Sequence, residues 1–254
     1  YRPGRFFANS LTNCGIGIQQ GWNVTSSNNT IKNCNLGFWV EGDSSSRIVW
    51  NLVVNGQTGI RVRNAGSSPL IMNNTIAHHS TMPGEAGIYM ETSVAPTILN
   101  NIIYSNGLGI YGMAPSSPMT IAYNNVYANP SGNYSGEVAP YAAPAFNNLS
   151  SDPMFVGGFP FDYHLTSLSP SIGSGLNGVD QGCYPFKAVL RISTGPLTRP
   201  AGTFQSTQND IPMLQIRLVT ETPKTVELRD ITITNLGTSS SALPLEANNV
   251  KIYA

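Results

Sequence analysis

Apolar residues alternate over short stretches of the chain, as in Gly59-Ile60-Arg61-Val62-Arg63, and nowhere form a sustained stripe of 3.6-residue period. Alternation with a period of two marks a strand with one buried face. The stretches also recur. Asn9-Ser10-Leu11, Asn29-Thr30-Ile31, Asn51-Leu52-Val53, Asn74-Thr75-Ile76, Asn101-Ile102-Ile103 and Asn125-Val126-Tyr127 align, and their leading Asn residues step by 20, 22, 23, 27 and 24. A second column follows: Gly17-Ile18, Gly37-Phe38, Gly59-Ile60, Gly87-Ile88 and Gly109-Ile110. A strand, a turn and a second strand of this length cannot bury their faces alone, but stacked coils can. Like residues then lie over like at about 4.8 Å. Asn suits the turn because it tolerates left-handed backbone and its amide can bond the Asn of the next coil. The pattern predicts an all-β chain whose residues 1–186 form a right-handed parallel β-helix of about six rungs.

The same register sorts side chains by direction. Ile18, Phe38, Ile60, Ile88 and Ile110 should point inward, with Val40, Val62 and Met90 two residues on. Gln19, Trp39, Arg61, Tyr89 and Tyr111 should form an outward column, and Glu41, Arg63 and Glu91 a second one. Two readings of this face stand side by side. In one it is a ladder: Glu41–Arg63–Glu91 alternates in sign, and Trp39–Arg61–Tyr89 stacks by cation–π contact. In the other it binds carbohydrate, with rings stacking on sugars and Arg and Glu supplying polar contacts. A lyase version would use an Arg as base and carboxylates to hold calcium, the one cofactor these residues could take. Before residue 150 the carboxylates are Glu41, Asp43, Glu85, Glu91 and Glu137, and no two- or three-Asp cluster is visible. The expectation therefore leans away from catalysis, and no catalytic residue is assigned.

Composition narrows the classes. Lys plus Arg and Asp plus Glu number 13 each, and charged residues are 10%, against roughly 25% in ordinary soluble domains. That balance excludes a basic nucleic-acid binder and an acidic tail. No apolar run approaches the roughly 18 residues of a membrane span, and no secretory-leader pattern opens the chain. Asn is abundant at 26 residues. Low charge with much Asn, Gly, Ser and Thr suits an extracellular or cell-surface protein. The chain begins at Tyr1 and reads as a matured or cropped product.

The Asn-Asn-x-Ile and Gly-Ile columns resemble the parallel β-helix repeats of the pectate-lyase-like superfamily. Asn147-Asn148-Leu149-Ser150-Ser151-Asp152-Pro153-Met154-Phe155, Asp162-Tyr163-His164-Leu165, Ser169-Pro170-Ser171-Ile172 and Asp180-Gln181-Gly182-Cys183-Tyr184 are similar to the closing motif of secreted bacterial β-helix proteins. The resemblance implies the fold and export over residues 1–186. It implies no activity, because this fold carries lyases, hydrolases, adhesins and structural proteins.

Composition shifts near residue 186. Asn falls from 22 in residues 1–185 to 4 in the rest, while charged residues go from 14 to 12 over far fewer positions. Alternating strands over 188–193, 213–220, 225–234 and 250–253, punctuated by Gly195, Pro196, Pro200, Pro223 and Pro244, predict an antiparallel, Ig-like β-sandwich module over 187–254. The module is short for a sandwich, so it reads as truncated or completed by a partner chain. The first coil likewise has little before it to cap it. These features lead to a secreted structural protein as the first expectation. Its sharpest form is a filament or surface-layer subunit joined by strand addition, through self-association or further domains. A polysaccharide lyase or hydrolase, or a carbohydrate-binding adhesin using Trp39, Arg61, Tyr89 and Tyr111, is the alternative.

Remaining chemistry is local. His78, His79 and Glu85 fall in a loop of extra residues, where a solvated pair outweighs a metal site, so no metal is assigned. His164, beside Asp162 and Tyr163, reads as a structural hydrogen bond. Cys14 and Cys34 share one column and are either buried thiols or a disulfide. Asn23, Asn28, Asn73, Asn133 and Asn148 open Asn-x-Ser/Thr motifs. Asn23, Asn133 and Asn148 are the glycosylation candidates, and Asn28 and Asn73 sit beside the ladder turn.

Overall fold

The computed structural model describes residues 4–42, 45–64, 66–116, 118–142, 144–157 and 162–186, and the strands Leu190–Thr194 and Ile216–Thr220. The chain divides into two compact units, Tyr1–Ala188 and Val189–Ala254.

In the first unit, 18 short strands wind through six coils. Sheet A holds β1 (Gly4–Phe7), β4 (Val24–Ser27), β7 (Arg47–Val49), β10 (Leu70–Met72), β13 (Thr97–Leu99) and β16 (Thr120–Ala122). Sheet B holds β2 (Ser10–Thr12), β5 (Thr30–Lys32), β8 (Leu52–Val54), β11 (Thr75–Ala77), β14 (Ile102–Tyr104) and β17 (Asn125–Tyr127). Sheet C holds β3 (Ile16–Gln20), β6 (Leu36–Glu41), β9 (Thr58–Arg63), β12 (Ile88–Met90), β15 (Ile110–Gly112) and β18 (Tyr134–Gly136). Within each sheet, every strand pairs in parallel with its counterpart one coil away. Each coil thus has three strands, one more than the sequence pattern displays. The extra one, in sheet A, gives a single inward residue per coil in the column Ser26, Ile48, Ile71, Ile98, Ile121. One inward position shows no alternation to read.

The core is one continuous stack. Phe38, Ile60, Ile88 and Ile110 of sheet C, Val53, Ile76, Ile103 and Val126 of sheet B, and the sheet A isoleucines are fully buried. Each such side chain stabilises the fold by about 1.5–3 kcal/mol. The inward assignments for Ile18, Val40, Val62 and Met90 also hold.

Two polar columns bind the coils together. At the A–B turn, each Asn side chain accepts from the Asn one coil earlier, through Asn9, Asn29, Asn51, Asn74, Asn101, Asn124 and Asn148. The sixth member is Asn124, not Asn125. Asn125 opens β17 and donates to Ser171. The turn also splits the two tasks expected of one Asn. The left-handed residue is the one before the ladder Asn (Asn28, Asn73, Asn100, but also Ala8, Trp50 and Tyr123). The second column runs Cys14, Cys34, Gly56, His79, Asn106, Asn129, each five residues after its ladder Asn and each just after another left-handed residue. Its amides repeat the ladder, Asn106 to Asn129 and Asn129 to Asn133. At its start, Cys14 and Cys34 are joined as a disulfide across adjacent coils, with Cα atoms 4.4 Å apart. Closing a loop of 20 residues is worth about 3 kcal/mol. Replacing both cysteines with Ser should lower the urea midpoint accordingly, and an unchanged midpoint would show the coils hold without it.

The closing segment folds back along the outside of sheet B. Asn125 bridges Leu149 in parallel. Gln181 then donates to Tyr123 O, Gly182 N to Asn100 O, Asn73 to Asp180 O, and Cys183 N to Thr75 Oγ1. Tyr163 and Cys183 cover Leu52, Val54 and Ala77. This strap explains why β8 is apolar at every position and buried on both faces. Past β18, Val138, Tyr141 and Phe146 lie over the last coil, with Tyr141 Oη donating to Met119 O.

In the second unit, β19 (Leu190–Thr194) and β20 (Ile216–Thr220) pair antiparallel, Leu190 opposite Thr220. The rest of the expected sandwich, including the strands over 225–234 and 250–253, lies outside the described residues.

Candidate functional site

The outward face of sheet C carries the expected columns. Parallel register sets Gln19, Trp39, Arg61, Tyr89 and Tyr111 side by side on successive coils. It sets Glu41 beside Arg63 in the next column, and Glu91 follows β12 directly. Contacts along this face are both straight, as between Arg61 and Tyr89, Tyr89 and Tyr111, and Arg63 and Glu91, and diagonal. Arg61 reaches Glu91 at 3.0 Å and Arg63 reaches the same carboxylate at 3.7 Å. Arg61 lies over the Tyr89 ring at 4.7 Å, as the sequence implies. The cation over Trp39, however, is Arg63 at 4.9 Å, not Arg61. Glu41 accepts from Gln19 Nε2 at 3.0 Å instead of closing an alternating Glu41–Arg63–Glu91 row. Tyr89 and Tyr111 rings sit 5.0 Å apart. Long side chains bridge neighbouring columns as readily as they bridge coils, and that reach is not encoded in spacing.

Beside these columns lies a cavity of about 230 Å³, lined by Ile16, Leu36, Trp39, Thr58, Arg61 and Glu85 among others. Glu85 comes from the five-residue insert that lengthens the fourth coil between His79 and Gly87, and it accepts from Thr58 Oγ1. Trp39 Nε1 is buried without a hydrogen-bond partner among the described residues. Burial and the neighbouring Tyr111 raise the Tyr89 hydroxyl above its usual range.

His79 is not in a solvated loop. It is 4% exposed and takes the place of an Asn in the second column. Gly56 N–H donates to its Nδ1 at 3.1 Å, and Nε2 lies 3.2 Å from Val53 O. Asn106 and Asn129 use their amides in the same way on Ile76 O and Ile103 O. Burial pushes the ring down to about 4. His78 turns outward against Tyr104 and Tyr163, so the pair does not converge with Glu85. Among the described residues, no three His, Cys, Asp or Glu side chains gather as a metal site requires. The sequence signal for His79 was present, in its fixed offset of five residues from Asn74.

His164 Nδ1 lies 2.6 Å from Asp162 and its ring stacks on Tyr184, so it orders the strap. The His164 backbone N–H, and then its ring, bond Asp162 Oδ1 and hold that carboxyl below its usual range. Among the glycosylation candidates, Asn23 is exposed in a left-handed turn. Asn133 bonds Asn129 and Ser150, and Asn148 donates to Ile121 O and Tyr141 O. A glycan on either would break those contacts. Asn73 is buried, and its amide holds Asp180 O.

Comparison with known families places residues 5–138 in the one described as right handed beta helix region. No curated protein and no solved structure matches the chain.

Proposed function

We propose, from the premise that this chain belongs to the right handed β-helix family, that it is an extracellular structural rod. The observation that carries this reading is the outward face of sheet C. Its two Arg side chains engage Glu91, Trp39 and Tyr89, and Glu41 engages Gln19. These charged groups bind coil to coil. Individually such surface pairs are weak, but a repeated row stiffens a stack whose cohesion is a sum of neighbour terms. The disulfide fits an oxidising compartment. The finer form is a filament or surface-layer subunit, joined through the module that begins after residue 186. Electron microscopy of native, untagged protein tests it. Rods or filaments are the expected result, and unsaturated products from a panel of uronate polymers would overturn the structural reading in favour of a lyase.

One observation favours a second reading, carbohydrate binding. The cavity at Trp39 joins an aromatic residue, Arg61 and the Glu85–Thr58 pair. If this cavity takes a sugar, Trp39→Ala removes binding on a glycan array while leaving the unfolding free energy within about 1 kcal/mol. Equal binding by the variant and the parent would rule the cavity out.

A further inference from the structure

We propose that His79 is an acid-sensitive latch between the third and fourth coils: protonating its ring opens this one position of the second column and releases the insert that follows, while the other coils stay closed. The argument begins with hydrogen-bond direction. A backbone N–H can only donate, so Nδ1, which faces Gly56 N, must carry a lone pair. Nε2 faces Val53 O and must carry the proton. The neutral ring therefore satisfies both neighbours in one fixed tautomer. A second proton has a single place to go, Nδ1, where it would point at the Gly56 N–H. An attractive contact becomes a repulsive one, with no acceptor in reach.

The surroundings do not relieve the added charge. On the third coil the ring meets Val53 and Gly56, and a Cβ at Gly56 would lie 3.0 Å from Nδ1. On the fifth coil Asn106 accepts from the His79 backbone. Across the coil it approaches Gly59. None of these titrates. The titratable neighbour is His78, whose own charge opposes a second one. Glu85 is engaged by Thr58. The equivalent positions on later coils are the amides of Asn106 and Asn129, which do not titrate, so the sensitivity belongs to this coil alone.

Opening has a defined consequence. Ser80 N donates to Gly56 O, and Gly107 N to His79 O and Ser80 O. Those bonds hold the start of the insert against the turn that His79 anchors. When the ring leaves, the insert and the Gly56–Thr58 turn lose their tie, and Thr58 and Glu85 of the neighbouring cavity go with them. Direction follows from linkage. The ordinary value is 6.5 and the folded ring sits near 4, so the unfolded or opened state binds the proton more readily. Stability of the closed position is complete above about pH 6.5 and falls as the pH drops toward 4.

Hydrogen exchange on the intact chain tests this, with peptides over 54–59 and 79–88 compared with peptides over 102–112 between pH 6.5 and 4.5. After correction for intrinsic exchange, protection in the first two should drop by about 40-fold, with the third unchanged. His79→Asn, which copies the later coils, should abolish the drop. Unchanged protection at 54–59 and 79–88, an equal drop in His79→Asn, or a drop spread evenly over all coils would each overturn the latch. Should the variant fold poorly, the NMR titration of His79 in the parent chain decides: a midpoint at or above 6 refutes it.

Discussion

Asn101→Ala should destabilise the β-helix by about 4 kcal/mol. Asn101 is fully buried. Its Nδ2 donates to Ile71 O and Leu99 O at 2.9 Å and to Asn124 Oδ1 at 3.0 Å. Its Oδ1 accepts from both Asn74 N and Asn74 Nδ2. Alanine removes all of these and leaves the buried Asn74 N–H without its acceptor, while Leu99 O keeps Asn73 N and Asn124 Oδ1 keeps Asn101 N. Each stranded group costs about 1–3 kcal/mol. Asn101→Asp is the sharper probe. It keeps the shape and the two accepted bonds, but turns a carboxylate oxygen toward three acceptors. It should be at least as destabilising as Ala at neutral pH and partly recover in acid, where the protonated carboxyl regains one donor. The internal control is Asn9→Ala. Asn9 is exposed at the start of the same column and bonds only forward, to Asn29, so its loss should cost under about 1 kcal/mol. Urea midpoints of the three variants decide. If Asn101→Ala and Asn9→Ala behaved alike, the ladder would be a decoration on a fold held by its apolar core.

Gly59→Ala is the second large effect, expected to cost about 3 kcal/mol. A Cβ at Gly59 would lie 2.5 Å from Gly87 O and 2.5 Å from Ile76 Cγ2. Neither can retreat easily. Gly87 O accepts from Ile60 N in the sheet C ladder, and Ile76 is sealed in the core. Glycine is needed here for closeness: sheets B and C converge, and the inward Ile of sheet B fills the space a side chain would take. Gly15 provides the contrast, since nothing lies within 4 Å of a Cβ there. Gly15→Ala should be neutral or stabilise by up to about 1 kcal/mol. Thermal melts of the two variants separate packing from backbone entropy. Equal melting points would mean the coils adjust their spacing to admit a methyl group.

Asn101 and Gly59 both belong to columns that the sequence displays. The Gly-Ile column was legible because a buried position tolerates few residue types, so like recurs over like. The ladder was legible in register but not in its last step. Asn124-Asn125 offers two candidates, and only the bond from Asn101 to Asn124 Oδ1 chooses between them. The third strand of each coil is not legible, because Ser26, Ile48, Ile71, Ile98 and Ile121 are single inward residues, and apolar neighbours such as Val49, Leu70, Met72 and Leu99 leave no alternation to read. Of the two cation–π pairs, Arg61 over Tyr89 follows the column, whereas the cation over Trp39 is Arg63 from the neighbouring column, because an arginine reaches diagonally as far as it reaches straight.

The sequence by itself determined the coil: its period, its inward residues, the outward columns on sheet C and the register of Cys14 with Cys34. These follow from local alternation and from repetition, both of which are one-dimensional properties. The tertiary structure alone decided how the coils close: the disulfide, the strap over sheet B, the division of the Asn turn into a left-handed residue and a ladder residue, and the conversion of His79 from a loop residue into a buried member of a column. Each depends on which atoms meet across 20 to more than 100 residues of chain. Such meetings are selected by packing and hydrogen-bond satisfaction in three dimensions, and no short-range pattern specifies them.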